Sequence, residues 1–344
     1  MARAFIGTRL NGSAQSNRTR VGMERYTLDE ALEAFIKAKE AEGVRPRTIH
    51  DYRKHIQYLK MFLKECNYDI SDINELTAKV IREYIIYMKQ TKMAYKGIEN
   101  REKEVAGLSV NTINIRLRTL KTMCNFWFRE QIIGTNPISN IKQVKDDEHT
   151  EVQGLNDEEL NKLLGYFNTR EYAQWRDKVL ILLLLDTGMR INEAVNLKLV
   201  HIDFKLLTIH IPSEISKNRK GRDVPITREV AKLLQELHNE TSNYFHECDY
   251  VFYNAYGEVF TAEAFRRRLN RIKKRIGFKK LHPHMFRHTF CRNFILNGGD
   301  IFTLQKIVDH ADIKTTRNYL QMEKEHINQQ HNKYSPVRKY LDKR

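Results

Sequence analysis

Between residues 282 and 319 the chain reads HPHMFRHTFCRNFILNGGDIFTLQKIVDHADIKTTRNY. His284 and Arg287 stand three residues apart, so on a helix they share one face and both reach one anion. His310 and Tyr319 follow. A phosphate gripped by arginine and histidine beside a tyrosine hydroxyl is the minimum equipment for covalent phosphoryl transfer. The cations stabilise charge developing on the phosphate oxygens while the phenol oxygen attacks. Asn297-Gly298-Gly299-Asp300 breaks the first helix. Phe302, Leu304, Ile307 and Val308 begin a second, short amphipathic one, which His310 closes, with Tyr319 on the next.

Two upstream segments carry compatible chemistry. Arg190 lies in TGMRINEA, where a glycine lets the chain turn sharply and the planar guanidinium offers a fork for two phosphate oxygens. Glu193, one turn on, can pair with Arg190 and orient it, although an ordinary surface pair would read the same in isolation. Residues 207–212 and 223–226 alternate like two paired strands. The turn between them carries Lys217, Arg219, Lys220 and Arg222. Its lysines suit an acid role, because an ammonium gives up a proton when neighbouring cations lower its pKa. Residues 266–280 hold nine basic side chains and no acidic one, among them Arg266, Arg267, Arg268, Arg271, Lys273 and Lys274. That density exceeds what a solvated helix face needs and points to a phosphate backbone, with Lys220 and Arg222 as further contacts.

The string from His284 to Phe290, followed by Val308-Asp309-His310 and Tyr319, resembles the C-terminal signature of the tyrosine recombinases, the integrase family. The family usually has Leu-Gly-His where this chain has Val308-Asp309-His310. TGMRINEA is similar to the family's first arginine box. Residues 216–226 are similar to its β-hairpin, whose lysine lies nine residues before the end of Val-Pro-Ile, a register that selects Lys217. The resemblance implies a catalytic set of Arg190, Lys217, His284, Arg287, His310 and Tyr319, supported by Glu193. Tyr319 would attack a DNA phosphodiester to give a 3′-phosphotyrosine and a free 5′-hydroxyl. Arg190 and Arg287 would stabilise the phosphate charge, and Lys217 would protonate the leaving 5′-oxygen. His284 would help take the tyrosine proton, since free phenol has a pKa near ~10. Tyr334 and Tyr340 are rival nucleophiles, but neither stands at the family spacing from His310. Double-stranded DNA carrying specific sites is the implied partner, with four protomers on two sites and accessory directionality proteins besides. Integration or excision of a mobile element is the expected role, with type IB topoisomerase-like relaxation and dimer resolution as alternatives. A site-specific DNA-binding protein that has lost catalysis is a further alternative, against which the intact set of six residues argues and which a covalent protein–DNA adduct would exclude.

Charge agrees: a formal +16 in 344 residues favours a polyanion, nucleic acid ahead of an anionic membrane surface. No acidic cluster at metal-ligand spacing and no P-loop occurs, so neither divalent metal nor ATP is expected in the chemistry. Cys66, Cys124, Cys248 and Cys291 show no CxxC spacing and read as reduced thiols of an intracellular protein. The longest apolar run, 179–185, is too short to cross a bilayer, and no secretory segment opens the chain. A cytoplasmic bacterial protein with no membrane partner is the expectation.

The elements that must position these residues divide into two domains. Residues 1–26, with five arginines against one glutamate, read as a flexible basic arm. Residues 27–141 hold four amphipathic helices: Thr27 to Glu30 forms a capping box, Thr48 caps the second helix, the third spans about 77–93, and Ser109 caps the fourth. A long polar loop covers 94–104. This helical domain loosely resembles the core-binding domain that precedes the catalytic one in tyrosine recombinases. Residues 142–154 read as a linker, 155–321 as the catalytic domain, and 322–344 as a tail that docks on a neighbouring subunit or remains disordered. Asn156 caps the first helix of the second domain, 228–237 is helical, and 250–253 is a third strand. The expected fold class is mainly α with a small antiparallel β-sheet in the C-terminal domain, two domains closing on DNA as a clamp.

Overall fold

The computed structural model describes residues 25–90, 93–94, 105–145, 154–245, 248–310, 312–313, 328 and 331–337. The chain divides into two compact units, Met1–His149 and Thr150–Arg344.

The first unit is helical, as expected. α1 (Leu28–Ala41) opens on the capping box: the Glu30 amide donates to the Thr27 hydroxyl at 3.2 Å, and the Thr27 amide donates to the Glu30 carboxylate at 2.8 Å. α2 (Pro46–Glu65) starts two residues before the expected Thr48. Pro46 occupies the first turn, where its missing N–H is no loss, and Arg45 precedes it without a side-chain cap. α3 (Ala78–Gln90) is followed by a short antiparallel pair, β1 (Met93–Ala94) and β2 (Val105–Ala106), at the two ends of the expected loop. α4 (Val110–Arg129) opens on Ser109, whose hydroxyl accepts from the Thr112 amide at 3.3 Å. Phe35, Ile36, Leu59, Phe62, Ile81, Met88, Ile113 and Trp127 are buried together in the core. Each such side chain contributes roughly 1.5–3 kcal/mol through removal from water. The Trp127 indole also donates to the Ala31 carbonyl at 2.7 Å, tying α4 to α1. Asn114 on α4 bonds the Val144 amide and carbonyl, each at 2.9 Å. The start of the expected linker therefore belongs to this unit.

The second unit begins with α5 (Asp157–Gly165), capped reciprocally by Asn156 and Glu159. α6 (Tyr172–Thr187) packs against both α8 (Arg228–Tyr244) and α10 (Pro283–Leu296). A helix covered on several sides needs apolar residues all round, and Val179, Leu180, Ile181, Leu183 and Leu184 are all buried. Arg176 and Asp177 are buried on the same helix and are paired, the guanidinium lying 2.6 Å from the carboxylate and 3.6 Å above the Phe260 ring. α7 (Ile191–Val195) follows a sharp turn, and then three short strands form an antiparallel sheet. These are β3 (Ile202–Asp203), β4 (Thr208–Ile211) and β5 (Arg222–Pro225), with Ile209 opposite Val224 and Ile211 opposite Arg222. The expected strand at 250–253 does not form. Tyr250 and Tyr253 make only isolated bridges, to Lys198 and Val259, so the third strand of the sheet is β3. α8 continues seven residues past the expected end at 237. α9 (Ala262–Ile276) buries Phe265, Leu269 and Ile272, and α11 (Ile301–Val308) packs on α10 and β5. Tyr319, Tyr340 and most of the tail, whose docking was expected, lie outside the described residues.

Candidate active site

Arg190 is placed by the turn between α6 and α7. Gly188 ends α6 in the left-handed region, with φ of 62°, and a Cβ there would fall 2.3 Å from the Phe290 ring. The glycine thus serves both the turn and the close packing of α10 beneath it. Arg190 is the N-cap residue of α7, and its amide and its Nη1 each donate to the Glu193 carboxylate at 3.0 Å. Glu193 is 1% exposed. It also receives Arg222 from β5, whose Nη2 and Nη1 approach its two oxygens at 2.7 and 3.3 Å. Burial alone would raise the Glu193 carboxyl, but the bonds and charge of Arg222, then Arg190, outweigh it and hold the group below the usual carboxylate range. The expected Arg190–Glu193 pair is therefore half of a buried Arg–Glu–Arg triad.

Arg222, expected at the DNA, is turned inward: its side chain is 10% exposed and its Nε donates to the Ile307 carbonyl at 3.1 Å. It fastens the hairpin to α7 and α11.

Arg287 rises from α10 at 5% exposure. Its Nη1 donates to the Gly188 carbonyl at 2.8 Å and its Nη2 to the Val308 carbonyl at 2.7 Å, so it joins the end of α6 to the end of α11. His310 follows the α11 cap, with its carbonyl accepting from the Gln305 amide side chain at 3.0 Å. Burial, reinforced by Arg287 and Arg190, pushes the His310 imidazole down to about 4. Desolvation, then Arg287, His282, Arg266 and Lys217, also holds His284 below the ordinary histidine range, although the residue is exposed. His288, which sequence reasoning passed over, is pushed down to about 4 by burial and by His284 and His282. His288 and His310, at about 4, are thus neutral at neutral pH.

Hydrogen bonds show what the fold gathers. The Arg190 Nη2 donates to the Asp309 carbonyl at 3.0 Å, Arg287 joins the carbonyls of Gly188 and Val308, and Asn218, beside Lys217, donates to the same Asp309 carbonyl at 3.1 Å. Groups from the α6–α7 turn, the β4–β5 turn, α10 and the end of α11 converge on one region. Lys217 and Lys220 are exposed in the β4–β5 turn, and Asn218 beside Lys217 donates to the Asp309 carboxylate at 2.8 Å. Asn218 and Asp309 were not among the expected site residues. The available signal was the acid standing at the family's glycine.

On α9, Arg267, Arg271 and Lys274 are exposed on the face opposite the buried Phe265, Leu269 and Ile272, while Arg266 and Lys273 are half-buried. Arg268 differs: it reaches the buried Asp177 carboxylate, and its Nη2 contacts the Ala173 carbonyl at 3.4 Å. It ties α9 to α6. Among the described residues no His/Cys/Asp/Glu group could hold a metal ion, and no helix is long and apolar enough to cross a membrane.

Residues 153–326 match the phage integrase family model, and residues 27–144 match the phage integrase SAM-like domain. The chain is 26% identical over 314 residues to the tyrosine recombinase XerC of Leptospira interrogans, covering 90% of this chain and 94% of that one. It is 30% identical over 217 residues to XerC of Staphylococcus carnosus, covering 62% and 71%. Among solved structures, the Tn1549 transposon integrase bound to a circular-intermediate DNA matches with a TM-score of 0.68 at 20% identity, over 88% of this chain and 99% of that one. The XerH recombinase in a post-cleavage complex with a palindromic difH substrate matches with a TM-score of 0.65 at 22% identity, over 87% and 82%. The chain belongs to the phage integrase family, the tyrosine recombinases, which cut and rejoin DNA strands at specific sites.

Proposed function

We propose that Arg190, Lys217, His284, Arg287 and His310 hold one phosphate of a double-stranded recombination site, and that Tyr319 attacks it. The Tyr319 oxygen forms a bond to phosphorus as the bond to the 5′-oxygen breaks, leaving a 3′-phosphotyrosine. The tyrosine proton passes to His284, whose pKa is held below the ordinary histidine range, which favours the neutral form that can accept it. A proton from Lys217 goes to the leaving oxygen. Arg190 and Arg287 meet the charge that develops on the non-bridging oxygens, and their guanidinium groups are already fixed by Glu193 and by the carbonyls of Gly188 and Val308. Attack by a second strand's 5′-hydroxyl reverses the step and joins new partners, so the phosphodiester energy is conserved and neither metal nor ATP is required.

The observation that carries this reading is the meeting of the α6–α7 turn, the β4–β5 turn, α10 and the end of α11 through the bonds of Arg190 and Asn218 to Asp309 and of Arg287 to the Gly188 and Val308 carbonyls. The exposed cations of α9, with Lys220, would follow the DNA backbone. Integration and excision of a mobile element by a homotetramer on two sites in the bacterial cytoplasm, with accessory directionality proteins, fits the likeness in fold to the transposon integrase. Resolution of chromosome or plasmid dimers is the second reading, favoured by the XerC relatives spanning 90% of the chain. The test is strand exchange between two differently labelled duplexes in excess chelator. Exchanged products are expected. Relaxation without exchange would make the chain topoisomerase-like, and a strict need for Mg²⁺ would end the metal-free scheme.

A further inference from the structure

We infer that Asp309 and Asn218 form a latch that positions Lys217 for proton transfer; the inference rests on the reading of Lys217 as the acid. Asp309 caps α11 in the left-handed region, with φ of 54° and ψ of 56°. Glycine adopts that conformation freely, whereas an acid is strained there, so the side chain needs a compensating interaction. Its Oδ2 accepts from the Asn218 Nδ2 at 2.8 Å and lies 3.5 Å from the Arg190 Nη1 and 3.9 Å from the Arg222 Nη1. The Asp309 carbonyl accepts from the Arg190 Nη2 at 3.0 Å and from the same Asn218 amide at 3.1 Å. One carboxamide therefore grips both acceptors of Asp309, and Asn218 is the immediate neighbour of Lys217.

The surrounding turn shows why such a latch is useful. Between Ile211 and Arg222, where the strand pairing ends, the chain leaves the sheet, and Lys217, Arg219 and Lys220 are all exposed. A lysine on a four-carbon stem in such a turn samples many positions, and proton transfer needs it within hydrogen-bond reach of the leaving oxygen. The Asn218–Asp309 contact links this turn to Arg190 and to the peptide just before His310. A backbone carbonyl alone would be present with any residue at 309. The carboxylate is what the acid adds, and its bond to Asn218 is charge-assisted.

The experiment compares cleavage of two duplexes, one normal and one whose 5′-bridging oxygen is sulfur. A thiolate leaves without a proton, so a defect in delivering the proton disappears on the sulfur substrate. Asp309→Gly and Asn218→Ala should each slow cleavage of the normal duplex by about 10–10²-fold, below the roughly 10²–10⁴-fold of a lost proton donor. Both should be near wild type on the sulfur duplex, and the double variant should be no slower than the worse single one. Asp309→Asn tolerates the left-handed backbone and keeps a side-chain oxygen for Asn218, so it should retain most of the rate. Circular dichroism and DNA affinity confirm that each variant is folded and bound.

Equal slowing on both substrates would assign the pair a general structural role and overturn the latch. Faster cleavage by Asp309→Gly would also overturn it, making the carboxylate a competitor of the phosphate for Arg190. Lys217→Ala separates the two levels of the argument. If Lys217→Ala is itself not rescued by sulfur, the assignment of the acid has failed. If it is rescued while Asp309→Gly is not, the acid stands and the latch has failed.

Discussion

Glu193→Ala removes the centre of the buried triad. Four donors then lose their acceptor: the Arg190 amide and Nη1, and the Arg222 Nη1 and Nη2. Both guanidinium groups remain largely buried, at 17% and 10% side-chain exposure. Asp309 offers partial compensation only, since its Oδ2 is 3.5 Å from Arg190 and 3.9 Å from Arg222. Breaking a buried ion pair from one side costs about 3–5 kcal/mol. For a domain of roughly 150–250 residues each kcal/mol moves Tm by about 2–4 °C, so a fall of roughly 6–20 °C is expected in scanning calorimetry. Glu193→Gln keeps one oxygen acceptor and should lose less. Because the stranded cations form an anion site, sulfate should recover part of the Glu193→Ala loss and little in the wild type. A Tm within about 2 °C of wild type, unresponsive to sulfate, would refute the claim that Glu193 neutralises the two arginines.

Three further outcomes are expected. Replacing Arg267, Arg271 and Lys274 by alanine should make the log–log salt slope of DNA binding shallower by about 3 at most, measured by anisotropy titration. An unchanged slope would return these side chains to the solvent. His288 and His310 have folded pKa values of about 4 against an ordinary ~6.5, so the unfolded chain binds more protons between those limits. Their stabilising share is full above the unfolded value and is lost as pH falls towards 4, and thermal melts of His288→Gln should show a smaller loss over that window. Gly188→Ala should lower both Tm and cleavage, because its Cβ would meet Phe290 and the backbone there has positive φ; a silent substitution would mean that α10 yields easily.

Local chemistry made much of this fold legible. Thr27, Ser109 and Asn156 cap the helices where they were expected because the cap oxygen and the amide that donates to it lie three residues apart. Thr48 misled because Pro46 two residues earlier is an equally good first-turn residue. Residues 250–253 have strand composition, but composition does not supply a partner strand, and only single bridges form. The candidate site was legible as residue types at spacings along the chain. Partners were not. Arg222 meets Glu193 across 29 residues and Arg268 meets Asp177 across 91, distances at which charge alone does not distinguish a buried pair from a phosphate contact. Asn218 and Asp309, 91 residues apart, were invisible for the same reason.

The central claim is that Tyr319 becomes covalently joined to DNA. The direct measurement is mass spectrometry of the peptide–nucleotide adduct, isolated after cleavage of a nicked duplex whose 5′-hydroxyl fragment diffuses away and prevents rejoining. The adduct should carry a 3′-phosphate on Tyr319, form in excess chelator, and be absent from Tyr319→Phe, which should still bind its site. An adduct on Tyr334 or Tyr340, or one that persists in Tyr319→Phe, would contradict the account.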